Sequence, residues 1–253
     1  MQAHIVHVHP EPASFNAALT QRARTILKAT GAAVTVSDLY ASRFDPVEAA
    51  EHYRNRSDPA AFSALAEQRH AWQTDTVPID VAREIEALSK ADLLVIQFPL
   101  WWHGPPAMLK GWFDRVFMNG GLYTSRKRYD AGHFRGRRAI LSITTGAPEA
   151  AFGPGARGGD PETMLWPLHY SLHYMGFTVL APFWTFGVQG HGYVYEQDDS
   201  LSTRLTTQLD RWQHRLETIG RAPTLAFPAW EDWDRQGQPL ESTRVRAPSV
   251  AQS

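Results

Sequence analysis

Along this chain, short unbroken apolar runs alternate with stretches in which apolar residues recur every three or four positions, so the hydrophobic period switches between that of a strand and that of a helix. HIVHV (residues 4–8) predicts a first strand, followed by a Pro-rich loop and a helix with Leu19, Ala23, Ile26 and Leu27 on one face and Ser14 as its N-cap. AAVTVSDLY predicts a second strand. Ile79–Ser89 predicts an amphipathic helix, with Ile79, Ala82, Ile85 and Leu88 at helical spacing, leading into a third strand at Leu93–Phe98. Arg138–Thr144 predicts a fourth strand and Phe177–Pro182 a fifth, the latter preceded by an apolar helix over Thr163–Tyr174; Leu201–Ile219 predicts a closing helix. Residues 41–78 are charged and weakly periodic, and longer than a connection between neighbours needs. Within them, residues 48–72 read as one or two short helices forming an excursion over the site or a dimer partner, the alternative being a disordered insert.

Strands alternating with helices at this spacing imply an α/β fold: a doubly wound, five-stranded, mainly parallel sheet with right-handed crossovers and helices on both faces. In the order 2-1-3-4-5, ligands sit beyond the carboxyl ends of strands one and three. Those ends are His9–Asn16 and Pro99–Gly104, with Thr144–Gly146 next along. The helix start at Ser14 presents free N–H groups and the positive end of a helix dipole, a site for an anion such as a phosphate. The stretch FPLWWHGPPAMLKGWFDRVF (Phe98–Phe117) passes from strand to aromatic loop to helix. Taken alone, its tryptophans fit a core as well as a site. Their position at the end of strand three assigns Trp101, Trp102 and His103 to the site, and Leu109, Trp112, Phe113, Val116 and Phe117 to the packing face of the helix.

Composition narrows the chemistry. With 253 residues and a net charge of −1, the chain has no basic excess for nucleic acid or a membrane surface. It has no cysteine, so redox chemistry must come from a bound cofactor rather than a thiol or a thiolate-held cluster. It runs straight into a strand, and no apolar run approaches the ~18 residues of a membrane span, so a cytoplasmic location without membrane insertion is expected. His7 and His9 share a strand face, but no carboxylate or further histidine is placed to complete a metal site, so none is expected. Gly153–Gly158 matches G-x-G-x-x-G literally, yet it lies several residues after its strand, contains a proline and lacks the acidic residue about 20 positions on. It reads as a flexible glycine loop over the site. The basic run Arg126, Lys127, Arg128, Arg135, Arg137 and Arg138 reads as a solvated edge, with attraction of a ligand's phosphate as the sharper alternative.

HPEPASFNAAL, VSDLYASRFDP, FPLWWHGPPAMLKGWFDRVF, LSITTG and MLWPL together resemble the NAD(P)H quinone reductase (DT-diaphorase) family of flavodoxin-like flavoproteins, in order from about residue 4 to 220. The resemblance implies two-electron hydride transfer from NAD(P)H through a flavin, FAD favoured over FMN, to a quinone or similar flat acceptor by a ping-pong scheme. It also implies a homodimer with the site at the interface. It places His9, Ser14, Phe15, Asn16 and Ala18 at the pyrophosphate and adenosine side, Pro99, Leu100, Trp101, Trp102 and His103 beside the flavin, and Thr144, Thr145, Gly146 and Ala147 along the ring edge. Tyr123, Phe152 and Tyr174 fall at the substrate pocket, and His103, Trp102 and Gly146 are the candidate catalytic positions. Two positions depart from the family: Phe152 and Gly158 stand where mammalian-type members carry a Tyr and a His, so His103, or Arg157 beside the vacated position, is expected to supply the donor. The adenosine-side arginine is matched by Leu205, with Arg204 one residue away. An alternative role, held by some relatives, is that of an ancillary flavoprotein subunit of a potassium-efflux system. Residues 1–220 are expected to form the flavin domain and 221–253 a tail packing on it or on the partner.

Overall fold

The computed structural model describes residues 1–188 and 198–240. In chain order its elements are β1 (Gln2–His7), α1 (Phe15–Ala29), β2 (Ala33–Asp38), α2 (Ala64–Gln73), α3 (Ile79–Lys90), β3 (Leu93–Pro99), α4 (Ala107–Val116), β4 (Arg138–Thr144), α5 (Pro161–Tyr174), β5 (Thr178–Val179), β6 (Phe183–Thr185) and α6 (Asp198–Glu217). The sheet runs β2-β1-β3-β4-β5, every pair parallel, as the alternating pattern requires. Of the strand predicted over Phe177–Pro182 only β5 forms, and an unpredicted short strand, β6, follows it; both pair with β4. The break has a local cause: the Ala181 N–H donates to Pro223 O at 2.8 Å, Arg215 donates to Ala181 O at 3.1 Å, and Pro182 has no N–H. The last turn of α6 and the chain after it thus capture the backbone groups that would have continued the ladder.

Side chains alternate across the sheet and divide the core in two. Ala3, Ile5, Leu93, Val95, Ile140 and Phe183 face α1 and α6; Val6, Leu94, Ile96, Phe98, Leu141 and Ile143 face α3, α4 and α5. Burying each large apolar side chain contributes ~1.5–3 kcal/mol. All five residues assigned to the packing face of α4 are buried. The face of α3 is rotated from the one its periodicity predicts: Ile79 is 68% exposed, while Val81, Glu84, Ile85 and Leu88 are buried. Glu84 draws the helix round, its carboxylate accepting from Trp112 Nε1 at 2.8 Å and Ser37 Oγ at 2.7 Å.

The 41–78 excursion is ordered by polar anchors instead of an apolar stripe. Arg115, 2% exposed, donates to Asp45 O and Asp80; buried Glu67 accepts from the N–H groups of Ser57 and Asp58; Gln68 donates to Asp114 O. Residues 50–52 form one helical turn and α2 a short helix, which is the two-helix reading and not the disordered one.

Candidate functional site

Three loops meet at the carboxyl edge of β1, β3 and β4. Ser14 caps α1, its hydroxyl accepting from the Ala17 N–H at 3.2 Å. Among the described residues, the N–H groups of Phe15 and Asn16 in that first turn have no acceptor, so they are free to bind an anion. Phe15 is half-buried against the α1/α6 core, Ala18 donates to Ser14 O at 3.1 Å, and the His9 ring accepts from the Glu11 N–H at 3.0 Å. Asn16 is 3% exposed and its side chain points inward, donating to Thr144 Oγ1 at 2.9 Å and accepting from Gln97 Nε2 at 2.8 Å. It therefore offers the site its backbone.

On β4, Pro99 and Thr144 are register partners, and the Leu100 N–H donates to Thr144 O at 2.8 Å. Thr145 is buried and its hydroxyl donates to Ala147 O at 2.8 Å, which curls the loop and leaves Gly146 exposed. A Cβ on Gly146 would meet nothing within 4 Å. Among the described residues, the N–H groups of Gly146 and Ala147 also have no acceptor. Two sets of free N–H donors thus flank one strand edge.

The third loop is a two-residue turn. Trp101 and Gly104 exchange backbone hydrogen bonds at 3.0 and 3.1 Å, and the central residues Trp102 and His103 both have positive φ, 50° and 61°. That is type I′ geometry, which glycine and asparagine ordinarily supply. Trp101 lies edge-on to His9 with ring centroids 6.1 Å apart, joining this loop to the one after β1. Trp102 is 97% exposed.

On the other side of His103 a cavity of about 770 Å³ opens between α4, α5 and residues 117–123, lined by His103, Phe113, Tyr123, Met164, Leu168, Tyr170 and Tyr174 among others. Tyr123 and Tyr174 pack edge-to-face at 5.6 Å. Burial, reinforced by Tyr174, holds the Tyr123 phenol above its ordinary pKa, so it remains a neutral donor. Phe152 does not line this cavity: it packs on Phe186 at 5.3 Å, and Phe186 stacks on Trp184. Gly158 lies beneath it, and a Cβ there would be 2.7 Å from Ala151 O and 3.0 Å from the Phe152 ring. The departures at 152 and 158 are thus sterically coupled. The glycine loop is closed by Gly153 N–H to Gly159 O at 3.0 Å and reaches the aromatic turn, where a Cβ on Gly159 would be 4.0 Å from the His103 ring. A larger cavity, about 1050 Å³, lies between β6 and α6 and borders the β4 loop only through Pro148 and Glu149.

The basic run divides in two: Arg126, Arg135 and Arg138 are exposed, as a solvated edge requires, whereas Lys127, Arg128 and Arg137 are partly buried and engaged. Lys127 donates to Gly121 O at 3.2 Å, Arg137 donates to Leu88 O at 3.2 Å, and the Arg128 guanidinium lies 4.8 Å from the Trp230 ring and within 6 Å of Tyr129 and Tyr174. Trp230 and Trp233 also pack on Tyr129, and Phe227 stacks on His173 at 4.5 Å, so residues 222–240 brace the wall of the Tyr174 cavity. The rest of the predicted tail, after Leu240, lies outside the described residues. Gln97 went unnoticed in the sequence, although one amide inside LLVIQF was its signal. Arg204, set aside at the sequence level, donates to Phe186 O and Gly187 O at 2.9 and 2.7 Å and fixes the loop after β6. His7 hydrogen-bonds Thr20 at 2.8 Å, and no cluster of three or more His, Asp or Glu occurs among the described residues.

Residues 1–209 match the family described as Flavodoxin-like fold. The chain is 39% identical over 228 residues to NAD(P)H dehydrogenase (quinone) 1 of Cavia porcellus, covering 89% of this chain and 80% of that protein. It is 37% identical over 229 residues to ribosyldihydronicotinamide dehydrogenase (quinone) of Mus musculus, covering 89% and 95%. A candidate quinone reductase from Klebsiella pneumoniae superposes with a TM-score of 0.83 at 29% identity, over 100% of this chain and 97% of that one. A shorter match, 41% over 106 residues, is to an ancillary protein of the glutathione-regulated potassium-efflux system of an Enterobacter strain, covering 42% of this chain and 57% of that protein.

Proposed function

This chain belongs to the flavodoxin-like fold family and, within it, to the NAD(P)H dehydrogenases (quinone), and from that premise we propose that it is a flavin-dependent NAD(P)H oxidoreductase acting on a quinone or similar flat acceptor. The observation that carries the reading is the pair of free N–H sets, at Phe15–Asn16 and at Gly146–Ala147, on either side of an aromatic turn. These residues fit a flavin: the helix start suits its phosphate, the uncrowded Gly146 admits a flat ring edge, and Leu100, Trp101 and Trp102 offer apolar surface. A bound flavin supplies the two-electron chemistry, taking a hydride from NAD(P)H and passing it to the acceptor, with the two substrates using one place in turn.

The chain's own contribution is positioning, charge and exclusion of water. The backbone N–H groups of Gly146 and Ala147 stabilise negative charge at the ring edge without any reorganisation. His103 carries a ring nitrogen at the same mouth and is the candidate proton donor in place of Phe152 and Gly158, which have none to give; Arg157 offers a hydrogen bond to the reduced ring but no proton. Tyr123 and Tyr174 form the flat wall on which an acceptor stacks.

We take the flavin to be FAD, with FMN as the alternative that the mass of the bound cofactor decides. The exposed Trp102, Leu65, Trp72 and Phe62 border the cavity or its neighbouring surface, and a second copy of the chain covers them in a homodimer. No helix among the described residues is long and apolar enough to cross a membrane, which accords with a cytoplasmic enzyme. The partial match to a potassium-efflux ancillary protein keeps that role as a second reading, marked by co-purification with a membrane transporter and slow turnover. The test is reconstitution with flavin followed by NADH and NADPH oxidation against quinone, nitro and azo acceptors. Saturable quinone-dependent turnover supports the proposal; a flavin-loaded protein that reduces none of them overturns it.

A further inference from the structure

The α1/α6 face of the sheet changes character in its last tier. Below it is apolar: Ala3 and Ile5 on β1, Leu93 and Val95 on β3, Ile140 on β4, Phe183 on β6. One step nearer the carboxyl edge, the same face carries His7, Gln97, Ser142, Thr144 and Thr185, all buried. Gln97 and Ser142 are register partners across β3 and β4, as are Thr144 and Thr185 across β4 and β6. From Gln97 the amide chain runs to Asn16 at 2.8 Å and from Asn16 to Thr144 at 2.9 Å, linking β3 to the first turn of α1 and to the loop after β4.

Three polar atoms in this tier have no partner: Gln97 Oε1, Ser142 Oγ and Thr185 Oγ1, in residues 1%, 0% and 0% exposed. Turning over both amides would reverse the donors and acceptors along the chain but leave the same outer atom of Gln97 alone. A buried polar atom without a partner costs about 1–3 kcal/mol; Gln97 and Ser142 sit side by side in register and Thr185 lies on the next strand over, one face of the sheet that can hold internal water, each molecule of which needs two to four polar partners.

We propose that Gln97 is a positioning residue of the site, the hub of a relay, completed by buried water on Gln97, Ser142 and Thr185, that fixes the spacing between the α1 N-terminus and the Thr144–Ala147 loop. It touches neither cofactor nor substrate; it holds the two N–H sets at the separation a single flavin bridges. The inference rests on the functional reading above for its consequence, but the hydrated relay is a property of the chain itself.

Two measurements test it separately. A crystal structure of the wild-type protein at high resolution shows ordered water within hydrogen-bonding distance of Gln97 Oε1 and at least one of the two hydroxyls; a dry tier overturns the proposal whether or not flavin binds. FAD titration then compares wild type, Gln97→Met, Thr185→Val and the double variant. Gln97→Met weakens FAD binding about tenfold, Thr185→Val weakens it less, and the two effects are less than additive because they break one network. Equal FAD affinity in wild type and Gln97→Met overturns the positioning role. Should Gln97→Met not fold, the Thr185→Val shift decides, and an unchanged affinity there counts against the relay. A wild type that binds no flavin refutes the functional reading instead and leaves the crystallographic result to judge the relay.

Discussion

At the scale of single residues, Trp102 and His103 stand out among the five described non-glycine residues with positive φ, because they are adjacent. Each occupies a left-handed position that glycine fills without penalty, and each carries strain of about 1–2 kcal/mol. Neither is buried within the single chain, so packing inside the monomer does not explain why a bulky ring is kept there. Trp102→Gly should therefore raise stability by about 1 kcal/mol, read as a higher Tm, while lowering kcat/KM for the quinone; a fall in both would mean that the ring is structural. His103→Ala should slow flavin reduction by NAD(P)H about 100-fold if its ring nitrogen moves the proton. Unchanged stopped-flow kinetics would remove it from the mechanism and turn attention to Arg157. The sequence made this turn visible, because WWHG follows a buried strand and precedes a double proline. It concealed the strain, since the glycine sits at the turn's last position and not at its centre. Asn16 was legible as a first-turn position of α1 at the candidate site, but its hydrogen bonds to Thr144 and Gln97 were not, because a side chain that turns inward leaves no trace in a one-dimensional pattern.

Among elements, α4 shows how the excursion is held. A Cβ on Gly111 would lie 2.0 Å from Pro46 O, so the helix is pressed against the 44–48 segment at a distance only glycine permits. Gly111→Ala should destabilise by about 1–3 kcal/mol, measured as a lower midpoint in urea with native-like circular dichroism before the transition. A neutral result would show that the excursion lifts off α4 without loss. The strands and the apolar helices were readable from periodicity because their burial is one-sided. The excursion was not, because its anchors, Glu67, Gln68 and Arg115, are polar residues buried through their hydrogen bonds. The rotation of α3 escaped for the same reason: Glu84 counts as solvent-facing in any hydrophobic pattern, yet Trp112 and Ser37 draw it inside.

For the molecule as a whole, histidines kept neutral by burial link stability to pH, His4 and His169 foremost, with His7, His133 and His173 shifted the same way. Burial lowers His4 and His169 from 6.5 to about 4, so the unfolded chain takes up protons that the folded one refuses. Stability is full above pH 6.5 and falls as the pH drops from 6.5 towards 4, by up to ~3 kcal/mol for each histidine across that window. Buried Glu84, held above its ordinary range mainly by desolvation, works the other way and regains stability when protonated, so the histidine effect is cleanest in the upper part of the window. Tm should fall between pH 7 and 5, and His169→Gln should flatten that slope; a slope the variant does not change would assign acid sensitivity elsewhere. The fold itself was recoverable because a parallel sheet buries both faces and writes its strands as continuous apolar runs. The segment that completes it was not, since residues 222–240 work by ring stacking and by taking over the backbone of a broken strand. That segment also sets an order in time. A chain made from its N-terminus has β1, β3, β4 and all three site loops in hand long before Phe227, Trp230 and Trp233 leave the ribosome. The proposed cofactor cradle can therefore assemble during synthesis, while the aromatic wall around Tyr174 closes only once residues 222–240 have emerged.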